Sequence, residues 1–108
     1  MFAMRELLDQ ADPPTAVFCY NDMSAYGAMR AARDRGLRVP EDLSIAGFDD
    51  LFLSSYTDPP LTTVRQPKHE MGRDAAGILL DLLAGGNPVS ISKPGTLMAR
   101  QSTAARRV

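Results

Sequence analysis

Two stretches of the chain decide its fold: Thr15-Ala-Val-Phe-Cys-Tyr-Asn-Asp22 and Leu43-Ser-Ile-Ala-Gly-Phe-Asp-Asp50. Each is a short apolar, β-prone run that ends in a pair of acidic or amide residues. In an open α/β sheet, ligands bind beyond the carboxyl ends of the strands, so both polar pairs are expected on one rim of the sheet. That rim is the candidate functional site.

The segment between these two runs predicts a helix, which makes the whole a β-α-β unit. Asn21 or Asp22 can accept hydrogen bonds from the first free backbone N–H groups of this helix, which is expected to reach about Arg35, and Gly36 can adopt the left-handed turn that ends it. Because β-α-β connections are almost always right-handed, the two strands are predicted to be parallel. The predicted fold class is therefore α/β, a parallel sheet with flanking helices.

The flanking segments extend this pattern. A helix is predicted over residues 1–10, one or two helical turns over 51–56, a third strand over 61–66 and a last strand around 96–100. The first strand is nearly all apolar, which is typical of a parallel strand covered on both faces. The clearest helical periodicity lies in a helix predicted over residues 68–84, whose apolar stripe consists of Met71, Ala75, Ile78, Leu79, Leu82 and Leu83.

Length and composition indicate one modest soluble domain. The chain has 108 residues, 44% of them hydrophobic and 23% charged, and no stretch approaches the roughly 20 apolar residues that span a bilayer. Its first eight residues lack the pattern of a secretory signal, so the cytoplasm is the expected location.

Twelve basic and thirteen acidic residues are interspersed, and this balance argues against strong binding of nucleic acid by this chain alone. The single cysteine, Cys19, is expected to be a small core residue.

The residues also carry a family resemblance. The string Thr15-Ala-Val-Phe-Cys-Tyr-Asn-Asp-Met-Ser-Ala-Tyr-Gly-Ala-Met-Arg-Ala31, then Gly36-Leu-Arg-Val-Pro-Glu-Asp-Leu-Ser-Ile-Ala-Gly-Phe-Asp-Asp50, then Pro59-Pro-Leu-Thr-Thr-Val-Arg-Gln-Pro67 resembles the LacI/GalR family of bacterial transcriptional repressors. The likeness runs through Gln101-Ser-Thr-Ala104, where family members often have an acidic residue at the position of Gln101.

The resemblance implies a regulatory role and no enzymatic activity. In that family, an N-terminal helix-turn-helix headpiece binds operator DNA, and a two-lobed core like a periplasmic sugar-binding protein holds a small effector, here expected to be a sugar or a related metabolite. Residues 1–108 match a single partial domain, the C-terminal lobe of a periplasmic binding protein-like fold, together with the helix 68–84 that in the family packs on the N-terminal lobe. Operator DNA would be contacted only through a headpiece that this chain does not contain.

Site residues follow from the positions that match the family. Asn21 and Asp49 are the expected ligand-binding residues, and a homodimer interface is expected to include Tyr26, Met29 and Arg30 on one helix face, with Phe52 and Tyr56 beside it. Plainer roles are open as well. Asn21 or Asp22 could be no more than a helix cap, and Asp50 no more than a turn former.

Other classes of function fit the residues less well. Paired acidic residues at strand ends could bind magnesium in a receiver-like phosphotransfer domain, but no third strand ends in a suitably placed lysine. His69 is the only histidine and begins a helix without a predicted activating neighbour, so no catalytic residue, metal or cofactor is expected. A periplasmic-type sugar receptor would share the lobe architecture and is a further alternative.

Overall fold

The computed structural model describes residues 2–106. Met1, with which the predicted first helix begins, and the last two residues of the predicted domain 1–108 lie outside the described residues. The chain forms two compact units, Met1–Arg65 together with Leu97–Val108, and Gln66–Thr96. Over residues 2–106, no helix is both long and apolar enough to cross a membrane.

The elements follow the predicted order. In chain sequence they are α1 (Phe2–Leu8), β1 (Ala16–Phe18), α2 (Asp22–Asp34), β2 (Ser44–Ala46), a 3-10 turn (Phe52–Ser55), β3 (Thr63–Arg65), α3 (Lys68–Leu83) and β4 (Thr96–Met98). Strands β1 and β2 form one two-stranded sheet, and β3 and β4 form another. Each strand is three residues long, so the β structure is minimal and the helices and turns complete the fold.

The parallel arrangement of the first two strands is confirmed. Ala16 pairs with Ser44 and Phe18 with Ala46 in a parallel register. Beyond β1, the Cys19 backbone N–H still donates to the Ala46 carbonyl oxygen at 2.8 Å. Parallel bridges from Ala46 to Thr62 and from Asp49 to Arg65 extend the contact to the third strand segment. The strand ends that precede the polar pairs therefore lie at the same edge.

Helix α2 begins and ends at the predicted signals. Its N-cap is Asn21, whose side-chain oxygen accepts a hydrogen bond from the Ser24 N–H at 2.8 Å. At the other end, Gly36 has a φ of 71° and its N–H donates to the Arg33 carbonyl oxygen at 2.9 Å. These caps satisfy backbone groups that a helix leaves open at each end.

The core of the first unit lies between α2 and the sheet. Small side chains on one face of the helix allow the backbone to approach the strands closely, which compensates for a core with few large residues. The buried core residues are Met4, Cys19, Ala25, Ala28, Ala31, Ala32, Leu43, Ile45 and Leu61. Burial also raises the pKa of the Cys19 thiol, since desolvation disfavours the thiolate. The expectation that Cys19 is a core residue is confirmed.

Strand β1 is not covered on both faces, and that prediction is wrong. Val17 and Cys19 face the core, whereas Phe18 is 69% exposed and Tyr20 is 88% exposed. Successive side chains of a strand point to opposite faces, so a strand packed on one side only exposes every second residue. About half of the side chains in the apolar run of β1 are therefore exposed to solvent.

The C-terminal segment closes the first unit through a buried serine. The Ser102 side-chain oxygen accepts from the Thr62 N–H at 2.8 Å and donates to the Ile45 carbonyl oxygen at 2.5 Å. Its own carbonyl oxygen accepts from the Ile45 N–H at 2.9 Å. Ser102 thus provides hydrogen-bond partners for backbone groups of Ile45 and Thr62, which would otherwise be buried and unpaired.

The second unit consists of α3 and the segment that follows it. No residue of α3 is buried, and the predicted stripe includes Leu79, Leu82 and Leu83 among the exposed side chains. The Lys93 ammonium lies 3.0 Å from an Asp74 carboxylate oxygen and 3.3 Å from one of Glu70. These ion pairs tie the segment around Lys93 to the first half of the helix.

Gly47 is a position where the fold tolerates no side chain, and this gives a stability prediction. A Cβ at Gly47 would lie 2.4 Å from the Asp22 Oδ1 atom and 3.0 Å from Leu61 Cδ2. We expect Gly47→Ala to lower the free energy of unfolding by about 2 to 3 kcal/mol, as overpacking of a closed core does. Urea denaturation followed by circular dichroism measures this.

Gly77 provides the matched control. It lies within α3, and a Cβ there would meet nothing within 4 Å. Gly77→Ala should leave stability unchanged or raise it by up to about 1 kcal/mol, because alanine is the better helix former. Equal losses in the two variants would contradict the steric argument at Gly47.

Candidate functional site

The first polar pair begins with Asn21, which follows β1 and caps α2. Its Oδ1 atom is occupied by the Ser24 N–H, so the capping role predicted for this position is confirmed. The side chain is half-buried. The cap uses the side-chain oxygen of Asn21, and the same amide group also carries two N–H donors.

The second polar pair begins with Asp49, which follows β2. Its φ is 122°, a value that residues with a side chain rarely adopt. The Asp49 N–H donates to the Val64 carbonyl oxygen at 2.9 Å, and this bond holds the turn against the third strand segment. The half-buried carboxylate is thus presented from a backbone conformation that the neighbouring strand fixes.

Asp22 has a role that the sequence did not indicate. Its side chain is fully buried and accepts hydrogen bonds from the Leu51 N–H at 2.8 Å, the Ser54 hydroxyl at 2.5 Å and the Thr63 hydroxyl at 2.6 Å. The sequence leaves Asp22 open as an alternative helix cap, but Asn21 takes that role. The carboxylate of Asp22 instead joins the start of α2 to the 3-10 turn and to β3.

Asp50 is more than a turn former, and that plainer interpretation is wrong. Its carboxylate accepts from Arg100 Nη2 and from Arg65 Nε, each at 2.7 Å, and only 6% of its side chain is exposed. Burial by itself would raise the pKa of Asp50, but the hydrogen bonds and charges of the two arginines outweigh it and lower the pKa below its ordinary value. Three distant segments of the chain meet at this carboxylate.

The residues expected at a dimer interface fall on two neighbouring elements. Tyr26, Met29 and Arg30 line a shallow depression of about 230 Å³ on α2, together with Arg33 and Asp58. On the 3-10 turn and just after it, the rings of Phe52 and Tyr56 lie 5.2 Å apart at 42°, and they are 78% and 71% exposed.

A hydrogen bond joins these two elements. The Tyr26 hydroxyl lies 2.6 Å from the Ser54 hydroxyl. Because Ser54 donates its only hydroxyl proton to Asp22, the Tyr26 hydroxyl is the donor in this pair. This bond joins Tyr26 on α2 to the 3-10 turn that carries Phe52.

The magnesium interpretation finds no support in this geometry. Asp50 is neutralised by two arginines, and Asp22 is enclosed by hydrogen-bond donors. Within residues 2–106, no group of three or more histidine, cysteine, aspartate or glutamate side chains could hold a metal ion. The carboxylates of Asp22 and Asp50 instead serve as acceptors for protein donors.

Sequence comparison identifies the domain. The model of the periplasmic binding protein-like domain matches residues 2–103. The HTH-type transcriptional repressor CytR of Escherichia coli K12 is 55% identical over 83 residues, which cover 77% of this chain and 24% of the repressor. The chain thus spans about a quarter of the length of that relative.

Solved structures agree with the sequence match. A complex of the transcriptional regulator CelR with cellobiose superposes with a TM-score of 0.88 at 42% identity, covering 94% of this chain and 32% of that one. The lac repressor dimer bound to operator and the anti-inducer ONPF superposes with a TM-score of 0.84 at 38% identity, covering 96% and 37%. The predicted fold class, an incomplete lobe of this α/β fold, is confirmed.

The ion pairs of Asp50 predict a pH dependence of stability. Because the pKa of Asp50 is lowered in the folded state, its contribution is complete above its unfolded value of about 3.9 and disappears as the pH falls through the folded value. We expect wild type to be more stable than Asp50→Asn at pH 7, with the difference shrinking below about pH 4. Urea titrations at several pH values test this, and a difference independent of pH would contradict it.

Proposed function

This chain belongs to the periplasmic binding protein-like domain family, and we propose that it serves effector sensing and dimerisation as part of the core of a LacI/GalR-type bacterial transcriptional regulator. The regulator acts in the cytoplasm and is not an enzyme. Contact with operator DNA belongs to the helix-turn-helix headpiece of such regulators and not to residues 1–108. Residues 1–108 act as one partial lobe, and helix α3 corresponds to the helix that packs on the N-terminal lobe in such regulators.

One observation supports the effector role above the others. Strands β1 and β2 are parallel and in register, so the segments that follow them, with Asn21 and Asp49, leave the sheet at the same edge. An amide and a carboxylate at this edge offer both donors and acceptors, which suits the hydroxyl groups of a carbohydrate. We therefore assign Asn21 and Asp49 as effector contacts, with a sugar or related metabolite as the effector class.

The dimer role rests on exposed apolar area next to charged residues. Phe52 and Tyr56 present two neighbouring aromatic rings to solvent, and α2 adds Tyr26, Met29 and Arg30 beside them. Aromatic, methionine and arginine side chains are enriched in protein interfaces. We propose that this surface, called the dimer face below, binds a second copy of the chain around a twofold axis.

The effector role predicts weak binding of a sugar at a defined place. Half of a cleft supplies few contacts and leaves a ligand hydrated, so this chain should bind cellobiose with a Kd above about 1 mM, which corresponds to about −4 kcal/mol. In ¹⁵N NMR titrations with cellobiose at high concentration, we expect shifts centred on Asn21 and Asp49. Asp49→Ala should abolish them, and the exposed Asp58→Ala should not. Micromolar binding, or shifts elsewhere on the chain, would contradict this assignment.

The dimer face predicts a concentration-dependent mass. Sedimentation velocity should show a reversible dimer for the wild-type chain and a monomer for Tyr26→Asp, which places a charge in the middle of the face. Phe52→Lys should weaken association by at least about tenfold, or ~1.4 kcal/mol, without loss of helical circular dichroism.

A matched control exists on α1. Phe2 is 82% exposed and lies outside the dimer face, so Phe2→Lys should leave the dimer intact. If Phe2→Lys and Phe52→Lys reduce the mass equally, the interface lies elsewhere.

A further inference from the structure

The two halves of the dimer face belong to different parts of the chain. Tyr26 lies in α2, whereas Phe52 and Tyr56 lie on and just after the 3-10 turn, more than 25 residues further along. A surface assembled from two such segments binds a partner more tightly when the segments hold a fixed relative position, because otherwise association must also order them. The hydrogen bonds between the two segments therefore bear on how tightly the dimer face binds a partner.

Asp22 is the group through which the 3-10 turn is held against α2. Its Oδ2 atom accepts from both the Leu51 N–H and the Ser54 hydroxyl, and these two donors flank the turn from its N-cap to its last residues. Its Oδ1 atom accepts from the Thr63 hydroxyl, which lies 3.3 Å from the Asp50 N–H. The segment from Asp50 to Ser54 is thus bound to this carboxylate directly at Leu51 and Ser54, and at Asp50 through the Thr63 hydroxyl.

Ser54 carries this connection to the surface. It is fully buried, and its hydroxyl accepts from Tyr26 while donating to Asp22. The hydroxyl of Tyr26 therefore fixes its ring, which lies in the middle of the dimer face, to a buried residue. The bond from Ser54 to the Asp22 carboxylate is charge-assisted, and such bonds are short and directional. Together with the bond from Tyr26, it favours one arrangement of the ring and the turn.

We propose that Asp22 and Ser54 are positioning residues for dimerisation. Asp22 anchors the turn that presents Phe52 and Tyr56, and Ser54 connects this anchor to Tyr26. This inference rests on the proposed dimer function and adds to it the group that preorganises the interface. Neither side chain contacts the partner itself, since both are fully buried.

The test compares two adjacent serines. Ser54→Ala removes the hydroxyl that joins Tyr26 to Asp22, whereas Ser55→Ala removes an exposed hydroxyl that only donates to the Phe52 carbonyl oxygen at 3.3 Å. We expect the dimer Kd from sedimentation equilibrium to rise about tenfold in Ser54→Ala and to stay unchanged in Ser55→Ala. ¹⁵N relaxation of the Phe52 and Tyr56 amides should show greater mobility in Ser54→Ala than in wild type, a change that a uniform loss of stability would not produce.

A second variant covers the case in which Ser54→Ala does not fold. Tyr26→Phe keeps the ring and every donor to Asp22, and removes only the hydroxyl that donates to Ser54. It should raise the dimer Kd several-fold, and unchanged helical circular dichroism should show that the variant is still folded.

The outcomes separate the two claims. A wild-type chain that remains monomeric at millimolar concentration overturns the dimer function together with this inference. A wild-type dimer whose Kd is the same in Tyr26→Phe, Ser54→Ala and Ser55→Ala leaves the dimer function intact and overturns the positioning role alone.

Discussion

The buried carboxylate of Asp22 is the constraint on which the rest of the first unit depends. A fully buried charge is costly unless hydrogen-bond donors replace its lost hydration, and here three donors do so within 2.5–2.8 Å. Those donors come from the 3-10 turn and from β3, so the charge can be satisfied only when both segments are in place. Gly47 leaves the space that the carboxylate occupies. Because the buried carboxylate of Asp22 is stable only with these donors in place, α2, the turn and β3 must form together.

A second charged cluster shapes the rim beside it. Asp49 and Asp50 have φ values of 122° and 55°, and left-handed backbone at residues with side chains costs on the order of 1 to 3 kcal/mol each. The Val64 carbonyl oxygen holds Asp49, and Arg65 with Arg100 holds Asp50. These contacts offset the strain and keep the two successive carboxylates in different environments. Asp50 is committed to the protein interior, while Asp49 remains half-buried at the edge of the sheet.

The sequence predicted the features that depend on short-range patterns. The parallel β-α-β unit, the cap at Asn21 and the turn at Gly36 follow from hydrophobic runs and from residues with strong backbone preferences, and all three are present. The same reasoning missed Asp22, because a buried polar network depends on donors 29 to 41 residues away that have no periodic signal. It also overestimated the burial of β1, since an apolar run does not reveal whether the structure covers one face or both.

The rim and the dimer face share one chain segment, so binding at one can affect binding at the other. Asp50 and Leu51 directly follow the proposed effector contact Asp49, and the same segment continues into the 3-10 turn that carries Phe52. If an effector at Asp49 favours one conformation of this segment, it changes the affinity of the dimer face, and dimer formation must change effector affinity by the same factor. Asp22, Arg65 and Arg100 hold this segment through hydrogen bonds and ion pairs at Leu51, Ser54 and Asp50. Coupling between effector and partner therefore requires no long pathway, because Asp49 and the dimer-face residues Phe52 and Tyr56 lie within one stretch of eight residues.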